Sequence, residues 1–358
     1  MDIYSAIKPV LWRLDPERAH HLALWLLSRN PIGGLRDDPR LQVEVLGRRF
    51  SNPIGLAAGF DKNAKAWRQA ARLGFGFVEV GSVTPNPQPG NPSPRLFRLD
   101  RDRAVVNRMG FNNEGMEAMA ARLRYTWPDQ GIALGINLGK NKDTEDAAAD
   151  YELGAQRLGD RCDYMVINVS SPNTPGLRAL QGKGPLLELI ERTHQALQRS
   201  DAPTPPPLLL KIAPDLTDQD LADIAEIALG GKLAGLIATN TTIARPPELD
   251  ARYASEAGGL SGKPLFEPST RILRELYRLT QGKLPLIGVG GVSNGADAYA
   301  KIRAGASLVQ LYSALVFEGP YLVLRLKQEL LHCLERDRLR TIGEAVGLDH
   351  RPNHQPTP

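Results

Sequence analysis

Short apolar segments alternate with amphipathic ones through most of the 358-residue chain. Helical patterns separate several of them, such as one that begins with a capping box at Thr217 and Asp220 and another from about Ser269 to Gly282. Near-continuous apolar strands followed by helices are typical of a parallel sheet covered by helices. Eight such units favour a closed (β/α)8 TIM barrel, in the α/β class, over an open doubly wound sheet. The predicted strands are 53–59, 75–83, 132–139, 164–170, 208–213, 233–240, 284–292 and 308–312.

The N-terminal forty residues have a different pattern. Apolar side chains recur at helical spacing between Ile3 and Leu14, and Asp15 followed by Pro16 is typical of the start of a second helix. That second helix is apolar on more than one face and has arginines at its ends. Such helices either pack on the main domain or lie in a membrane interface, and the residues alone leave both interpretations open. The predicted division is an N-terminal helical extension at 1–40, the barrel at 41–335 and a polar C-terminal tail at 336–358.

Composition and charge limit the classes of function. The net charge of +4 is compatible with an anionic ligand but too small to indicate nucleic-acid binding. Two cysteines, Cys162 and Cys333, give neither a disulfide framework nor a metal cluster, which fits a reducing cytoplasm. No secretory signal is visible, and no apolar run reaches the roughly 18 residues of a membrane-spanning helix. We therefore expect no metal, no nucleic acid and no transmembrane segment.

Polar or glycine residues follow the carboxyl end of every predicted strand. In a barrel of this kind those ends form the active site. A single polar strand end can be structural, and the NVSSPNTPG run at 168–176 taken alone is better explained as an ordinary strand-to-helix connection whose Ser and Asn side chains cap backbone groups. Eight such ends in one barrel indicate an extended ligand site.

The residues at the strand ends narrow the chemistry of the ligand. Glycines after the seventh strand and a helix start at Tyr312 and Ser313 are where barrels bind phosphate through backbone N–H groups. Lys62 and Lys211 would hold a carboxylate or a developing negative charge. Because an amide side chain offers both a donor and an acceptor, asparagines suit a flat, amide-rich ligand. These features together suggest flavin mononucleotide (FMN). The asparagines are Asn107, Asn137, Asn168, Asn173 and Asn240.

A set of motifs matches one family over residues 1 to 330. They are LAAGFDK at 56–62, PRLFR at 94–98, NRMGFNN at 107–113, GKNK at 139–142, NVSSPNTPGL at 168–177, KIAPD at 211–215, ATNTT at 238–242, GGLSG at 258–262 and GVGGV at 288–292. The chain resembles the class 2, quinone-dependent dihydroorotate dehydrogenases. That resemblance implies oxidation of (S)-dihydroorotate to orotate in de novo pyrimidine biosynthesis, with FMN as hydride acceptor and a membrane quinone as final acceptor. It also implies that the N-terminal helices form a quinone tunnel and a peripheral, monotopic anchor at the cytoplasmic face of the bacterial inner membrane.

The resemblance assigns roles to individual residues. Ser171, where class 1 relatives have cysteine, matches the base that removes a proton from C5 while hydride leaves C6 for flavin N5; Thr174 and Phe111 match its proton route. Lys62 would contact flavin and the substrate carboxylate, and Lys211 would stabilise negative charge at flavin N1–O2. His20, Arg98 and Tyr312 match positions near the quinone. The alternative that His20 is a helix histidine facing solvent stays open. Residues that match flavin contacts are Ala58, Gly59, Phe60, Asp61, Lys62, Ser82, Asn137, Asn168, Lys211, Thr239, Gly262, Gly291, Tyr312 and Ser313. Residues that match the substrate site are Lys62, Asn107, Arg108, Met109, Gly110, Phe111, Asn168, Asn173, Asn240 and Thr241.

Two other classes of protein fit parts of the sequence. A dihydrouridine synthase, a flavin barrel that acts on RNA, would explain the basic charge. Such an enzyme would be expected to carry a catalytic cysteine at a strand end, and that cysteine is missing. It would also be expected to have a basic extension, and residues 336–340 form only a short one. A non-catalytic peripheral membrane protein would keep the N-terminal helices but has no need for eight polar strand ends. The sequence therefore favours an enzyme.

Overall fold

The computed structural model describes residues 3–29, 37–123 and 132–351. The predicted 1–40 extension and 336–358 tail therefore lie partly outside the described residues, at 1–2, 30–36 and 352–358. The helices are α1 Ile3–Leu11, α2 Pro16–Arg29, α3 Trp67–Ala71, α4 Gly115–Leu123, α5 Ala147–Leu158, α6 Lys183–Gln198, α7 Asp218–Leu229, α8 Ala251–Ala254, α9 Phe266–Thr280, α10 Gly295–Arg303, α11 Ser313–Glu318 and α12 Leu322–Arg336. The strands are β1 Val43–Val45, β2 Arg48–Phe50, β3 Ile54–Leu56, β4 Phe77–Val83, β5 Leu96–Leu99, β6 Ala104–Asn107, β7 Ala133–Leu138, β8 Tyr164–Asn168, β9 Leu208–Ile212, β10 Gly235–Ala238, β11 Gly259–Gly262, β12 Leu286–Val289 and β13 Leu308–Leu311.

Eight parallel strands form a closed barrel in the order β3-β4-β7-β8-β9-β10-β12-β13, so the predicted fold class is confirmed. Each strand lies inside the segment predicted for it, and most are shorter at the carboxyl end. The last predicted residues continue the apolar or small composition but leave the strand conformation. After β12, for example, Gly290 and Gly291 have φ of 115° and 75°, values that favour glycine. These turns carry the chain out of the barrel at the end where the site lies.

Local signals set the ends of the two predicted helices. Thr217 and Asp220 form the predicted reciprocal capping box before α7, and Gly230 caps the carboxyl end of this helix. Helix α9 begins at Phe266, three residues before the predicted Ser269, and terminates where Gln281 adopts a left-handed conformation. These helices cover the outer face of the barrel, and their apolar residues join one core cluster with the strands.

The N-terminal extension consists of the two predicted helices. Asp15 accepts hydrogen bonds from the N–H groups of Glu17 and Arg18, so it caps α2 as the sequence predicts. None of the α2 side chains is fully buried. The helices nevertheless contact the barrel, because the Tyr4 hydroxyl donates to Val316 O at 2.5 Å and Lys8 Nζ to Phe317 O at 3.0 Å. No helix in the described part of the chain is long and apolar enough to cross a membrane.

Two features of the fold were not predicted. Strands β5, β6 and β11 form a separate antiparallel sheet at the mouth of the barrel, although the sequence analysis named motifs that overlap all three. Each has only four residues, and β11 lies far from β6 along the chain, so no local pattern indicates the pairing. In the segment predicted as a polar tail, Ile342, Ala345 and Leu348 are buried against the barrel.

Candidate active site

A cavity of about 510 Å³ extends from the carboxyl ends of the barrel strands, past the β5-β6-β11 sheet, to the space between α1 and α2. It brings together residues from strand ends, from the outer sheet and from the N-terminal helices. Most of the predicted site residues line it: His20, Ala58, Gly59, Phe60, Lys62, Ser82, Arg98, Asn107, Met109, Gly110, Phe111, Asn168, Ser171, Asn173, Lys211, Thr239, Asn240, Thr241, Gly262, Gly291, Tyr312 and Ser313.

Four predicted residues do not line the cavity. Asp61 is buried and accepts hydrogen bonds from the N–H groups at positions 65 and 66, so it shapes the loop that carries Lys62. Arg108 turns away and pairs with Glu256 at 2.6 Å. Asn137 and Thr174 are buried and are not among the residues that line the cavity. The direct ligand contacts predicted for Asp61, Arg108 and Asn137, and the proton route predicted for Thr174, stay predictions.

A network of amides and a hydroxyl links the ends of β4, β7, β8 and β10. Asn168 Nδ2 donates to Ser82 Oγ at 2.9 Å and to Asn137 Oδ1 at 3.0 Å. Ser82 Oγ in turn donates to Asn137 Oδ1, and Asn240 Nδ2 donates to Asn168 Oδ1 at 3.3 Å. Because a satisfied buried network fixes rotamers, this wall of the cavity is rigid.

The network rests on a carboxylate that was not predicted from the sequence. Glu79 is fully buried inside the barrel and accepts hydrogen bonds from Asn137 Nδ2 at 2.8 Å, Gln310 Nε2 at 2.7 Å and the Tyr164 hydroxyl at 3.3 Å. A lone charged residue in strand β4 was the signal available in the sequence, because charged residues are almost never buried without partners.

The two predicted lysines lie in different surroundings. Lys211 is only 5% exposed, and no hydrogen bond to its amine is found among the described residues, although the side chain lines the cavity. Burial lowers the pKa of Lys211, and the negative charge of Glu79 opposes that shift. Lys62 Nζ donates to Gly59 O at 2.9 Å. Burial lowers the pKa of Lys62 to about 8, with the Glu17 carboxylate opposing the shift.

Ser171 lies on the loop that follows β8 and is 7% exposed. Its Oγ accepts a hydrogen bond from Asn173 N at 3.3 Å, and no carboxylate or histidine bonds to it in the described part of the chain. Asn173 Nδ2 donates to Asn107 Oδ1 at 3.3 Å. The buried Thr174 hydroxyl has no hydrogen-bond partner within the described residues. A serine base here would need another route for its proton, and the unpaired Thr174 hydroxyl lies on the same loop.

The end of the cavity that faces the N-terminal helices is aromatic. The His20 ring lies 5.3 Å from that of Phe60, and Phe60 lies 5.6 Å from Tyr312 between ring centroids. Burial lowers the pKa of His20 to about 3, so this imidazole is neutral at physiological pH. The solvent-facing interpretation of His20 is therefore wrong. Arg98 donates to Trp12 O at 3.1 Å and Leu14 O at 2.8 Å, which joins the outer sheet to the turn between α1 and α2.

An ion pair that was not predicted from the sequence attaches α2 to the segment directly before β5. Arg95 Nη2 lies 2.6 Å from Glu17 Oε1, and both side chains are largely shielded from solvent. The same guanidinium donates to Asn91 O at 2.7 Å, and Asn91 Nδ2 donates to Asn173 O at 3.1 Å. Contacts thus run from α2 to the loop of Ser171. Among the residues that the structure describes, no group of three or more histidine, cysteine, aspartate or glutamate side chains could hold a metal ion.

Comparison with known proteins identifies the family to which the chain belongs. The family model for dihydroorotate dehydrogenase matches residues 40–334. The dihydroorotate dehydrogenase (quinone) of Rhodospirillum rubrum is 61% identical over 98% of this chain and 95% of that protein. The mitochondrial dihydroorotate dehydrogenase (quinone) of Mus musculus is 54% identical over 96% and 90%. A crystal structure of the Eimeria tenella enzyme in complex with ferulenol superposes with a TM-score of 0.92 at 43% identity, covering 97% of this chain and 99% of that one. The chain therefore belongs to the dihydroorotate dehydrogenase family, in its quinone-dependent class.

Proposed function

We propose that this chain oxidises dihydroorotate to orotate with bound FMN and passes the electrons to a membrane quinone. The observation that carries the proposal is the single cavity, which is polar and cationic at the barrel strands and apolar and aromatic between α1 and α2. A small anionic substrate suits the first end and a lipid-like acceptor suits the second. Relatives that are named dihydroorotate dehydrogenase (quinone) support the same assignment.

The residues present fit FMN. Lys211 offers a buried cation with unused donors to the electron-rich edge of a flat ring, beside Asn168 on the neighbouring strand. The N–H groups of Gly291 and Ser313 have no hydrogen-bond partner among the described residues, and they lie where barrels bind phosphate. When bound, FMN would supply the hydride acceptor for C6 of the substrate.

The chain itself supplies the base and the positioning groups. Ser171 Oγ would remove the proton from C5, and Thr174 and Phe111 would shape the path by which that proton leaves. Lys62 would hold the substrate carboxylate in a site with little water, where a charge-assisted hydrogen bond is stronger than in solvent. Amide and hydroxyl groups would orient the substrate ring, and these are Asn107, Asn168, Asn173, Asn240 and Thr241.

The N-terminal helices would form the quinone entrance and dock on a membrane. Large apolar side chains of both helices are exposed, including Ile7, Val10 and Leu22, and Trp25 is 52% exposed with Arg29 stacked on its ring. Tryptophan and arginine together suit the headgroup region of a bilayer. We propose a peripheral attachment at the cytoplasmic face of a bacterial inner membrane, with quinone bound near His20, Arg98 and Tyr312.

An acceptor comparison tests the proposal. The purified protein is given dihydroorotate together with a quinone, fumarate or NAD, and orotate formation is measured with each. We expect rapid turnover with quinone and little with the other two. If orotate is formed with none of the acceptors, the assignment of dihydroorotate as the substrate is wrong. If fumarate or NAD is used in preference to quinone, the assignment of quinone as the acceptor is wrong.

A further inference from the structure

The guanidinium of Arg178 connects loops that follow three neighbouring barrel strands. Its Nε donates to Ser170 O at 3.0 Å, after β8, and its Nη2 donates to Thr241 O at 2.9 Å, after β10. Its Nη1 lies 2.8 Å from Asp215 Oδ2, after β9. One side chain therefore fixes the relative positions of three strand ends.

Asp215 holds the arginine and also binds the loop after β10. Its Oδ1 accepts a hydrogen bond from the Thr242 hydroxyl, and its Oδ2 accepts one from Ile243 N at 3.1 Å. The Arg178 and Asp215 side chains are 21% and 18% exposed, so solvent only partly screens the pair. Charge-assisted hydrogen bonds of this kind are roughly twice as strong as neutral ones.

Arg178 also closes the loop that carries Ser171. The loop leaves the barrel after Asn168 and turns at Gly176, where φ is 72°. The bond from Arg178 Nε to Ser170 O ties its end back to its beginning. Proline occupies two positions of the loop, at 172 and 175, so the segment between these fixed ends has little freedom.

We propose that Arg178, held by Asp215, is a positioning residue for the reaction. It sets the loop of Ser171 against the loop of Asn240 and Thr241, so that the proton-accepting hydroxyl and the ring-binding groups meet the substrate in one geometry. Neither Arg178 nor Asp215 lines the cavity, so both act through these loops. The inference rests on the proposed role of Ser171 as the base.

The test uses the FMN-loaded enzyme and Arg178→Gln. We expect flavin reduction by dihydroorotate to slow by about 10- to 100-fold, since a misplacement of about 1 Å can cost that much, while KM for dihydroorotate changes less. Deuterium at C5 of the substrate should give a larger isotope effect than in the wild type, because proton removal becomes slower. Flavin content should stay the same, since Gly291 and Ser313 lie on other strand ends and Lys211 lies within β9, before the loop of Asp215.

Two further variants separate positioning from general stability. Arg178→Lys keeps the charge beside Asp215 but lacks the fork needed to reach Ser170 and Thr241 together, so its rate should be intermediate. Asp215→Asn should slow flavin reduction in the same way, and the double variant should be less impaired than the product of the single effects predicts. Arg192→Gln is the matched control, because Arg192 also bridges carboxylates, those of Asp146 and Glu152, away from the cavity, and its rate should not change.

The outcomes distinguish this inference from the proposed function. Flavin reduction within twofold of wild type in folded Arg178→Gln would overturn the positioning role. If that variant does not fold, Arg178→Lys and Asp215→Asn decide, and wild-type rates and isotope effects in both would overturn it. Ser171→Ala is measured in parallel. Normal reduction in Ser171→Ala would refute the base itself, whereas slow reduction in Ser171→Ala with normal Arg178 variants would refute only the positioning role.

Discussion

Binding of the substrate carboxylate should depend on the protonation of Lys62. The pKa of this amine is lowered from 10.5 to about 8 because the side chain is buried. The free enzyme therefore presents a cation below pH 8 and loses it above. We expect the Kd of orotate to be constant at lower pH and to rise about tenfold per pH unit above pH 8. His20, with its pKa of about 3, remains neutral throughout and does not contribute.

Replacing Lys62 shows how much its charge contributes to the binding of orotate. A hydrogen bond to a charged group is worth about 1.5–3 kcal/mol, so Lys62→Met should weaken orotate binding by about 10- to 150-fold at pH 7. The pH dependence between 7 and 9 should vanish with it. Titrating the flavin absorbance with orotate from pH 6.5 to 9 in both proteins measures each quantity, and the variant serves as the control for ionisation of orotate.

The same substitution should stabilise the protein. Because the folded state disfavours the protonated amine, the cost is fully present below pH 8 and is recovered as the pH rises towards 10.5. Complete burial would cost about 3 kcal/mol, and partial exposure to the cavity reduces this to about 1–3 kcal/mol. Lys62→Met should therefore raise the free energy of unfolding at pH 7, measured by denaturant titration of the flavin-free protein. A flat wild-type Kd up to pH 9, or an unchanged slope in the variant, would refute the role of Lys62.

Three other predictions follow from the site. Ser171→Ala should slow flavin reduction by about 10²–10⁴, typical of a lost general base, with quinone reoxidation in stopped-flow traces almost unchanged. Lys211→Ala should lower the flavin midpoint potential, because a buried cation favours the electron-rich state; an unchanged potential in spectroelectrochemistry would contradict this. A chain that starts near Leu41 should keep flavin and its reduction by dihydroorotate but lose most turnover with long-chain quinones and most binding to anionic vesicles. Proportional loss with every acceptor would instead mean that the helices only pack on the barrel.

The sequence predicted the elements whose signals are local. The barrel strands are short apolar runs, and every one of them lies in the segment predicted for it. The capping box before α7 and the Asp15 cap of α2 depend on residues within a few positions of one another, and both are present. Most of the predicted site residues line the cavity for a related reason. Closure of a parallel barrel places all strand ends at one mouth, so polar residues in that position must share it.

Tertiary structure decided which side chains meet across long separations. Glu79 is bonded by Gln310, 231 positions away, and Arg95 pairs with Glu17 from a different part of the chain. Likewise Arg178 joins Asp215 and Thr241 through bonds that no periodic pattern encodes. A charged residue needs a partner once the fold buries it, and the sequence shows this need. Many carboxylates and carbonyls would satisfy the need equally well. Only the register of neighbouring strands and the path of their loops selects one partner, and those depend on the packing of the whole barrel.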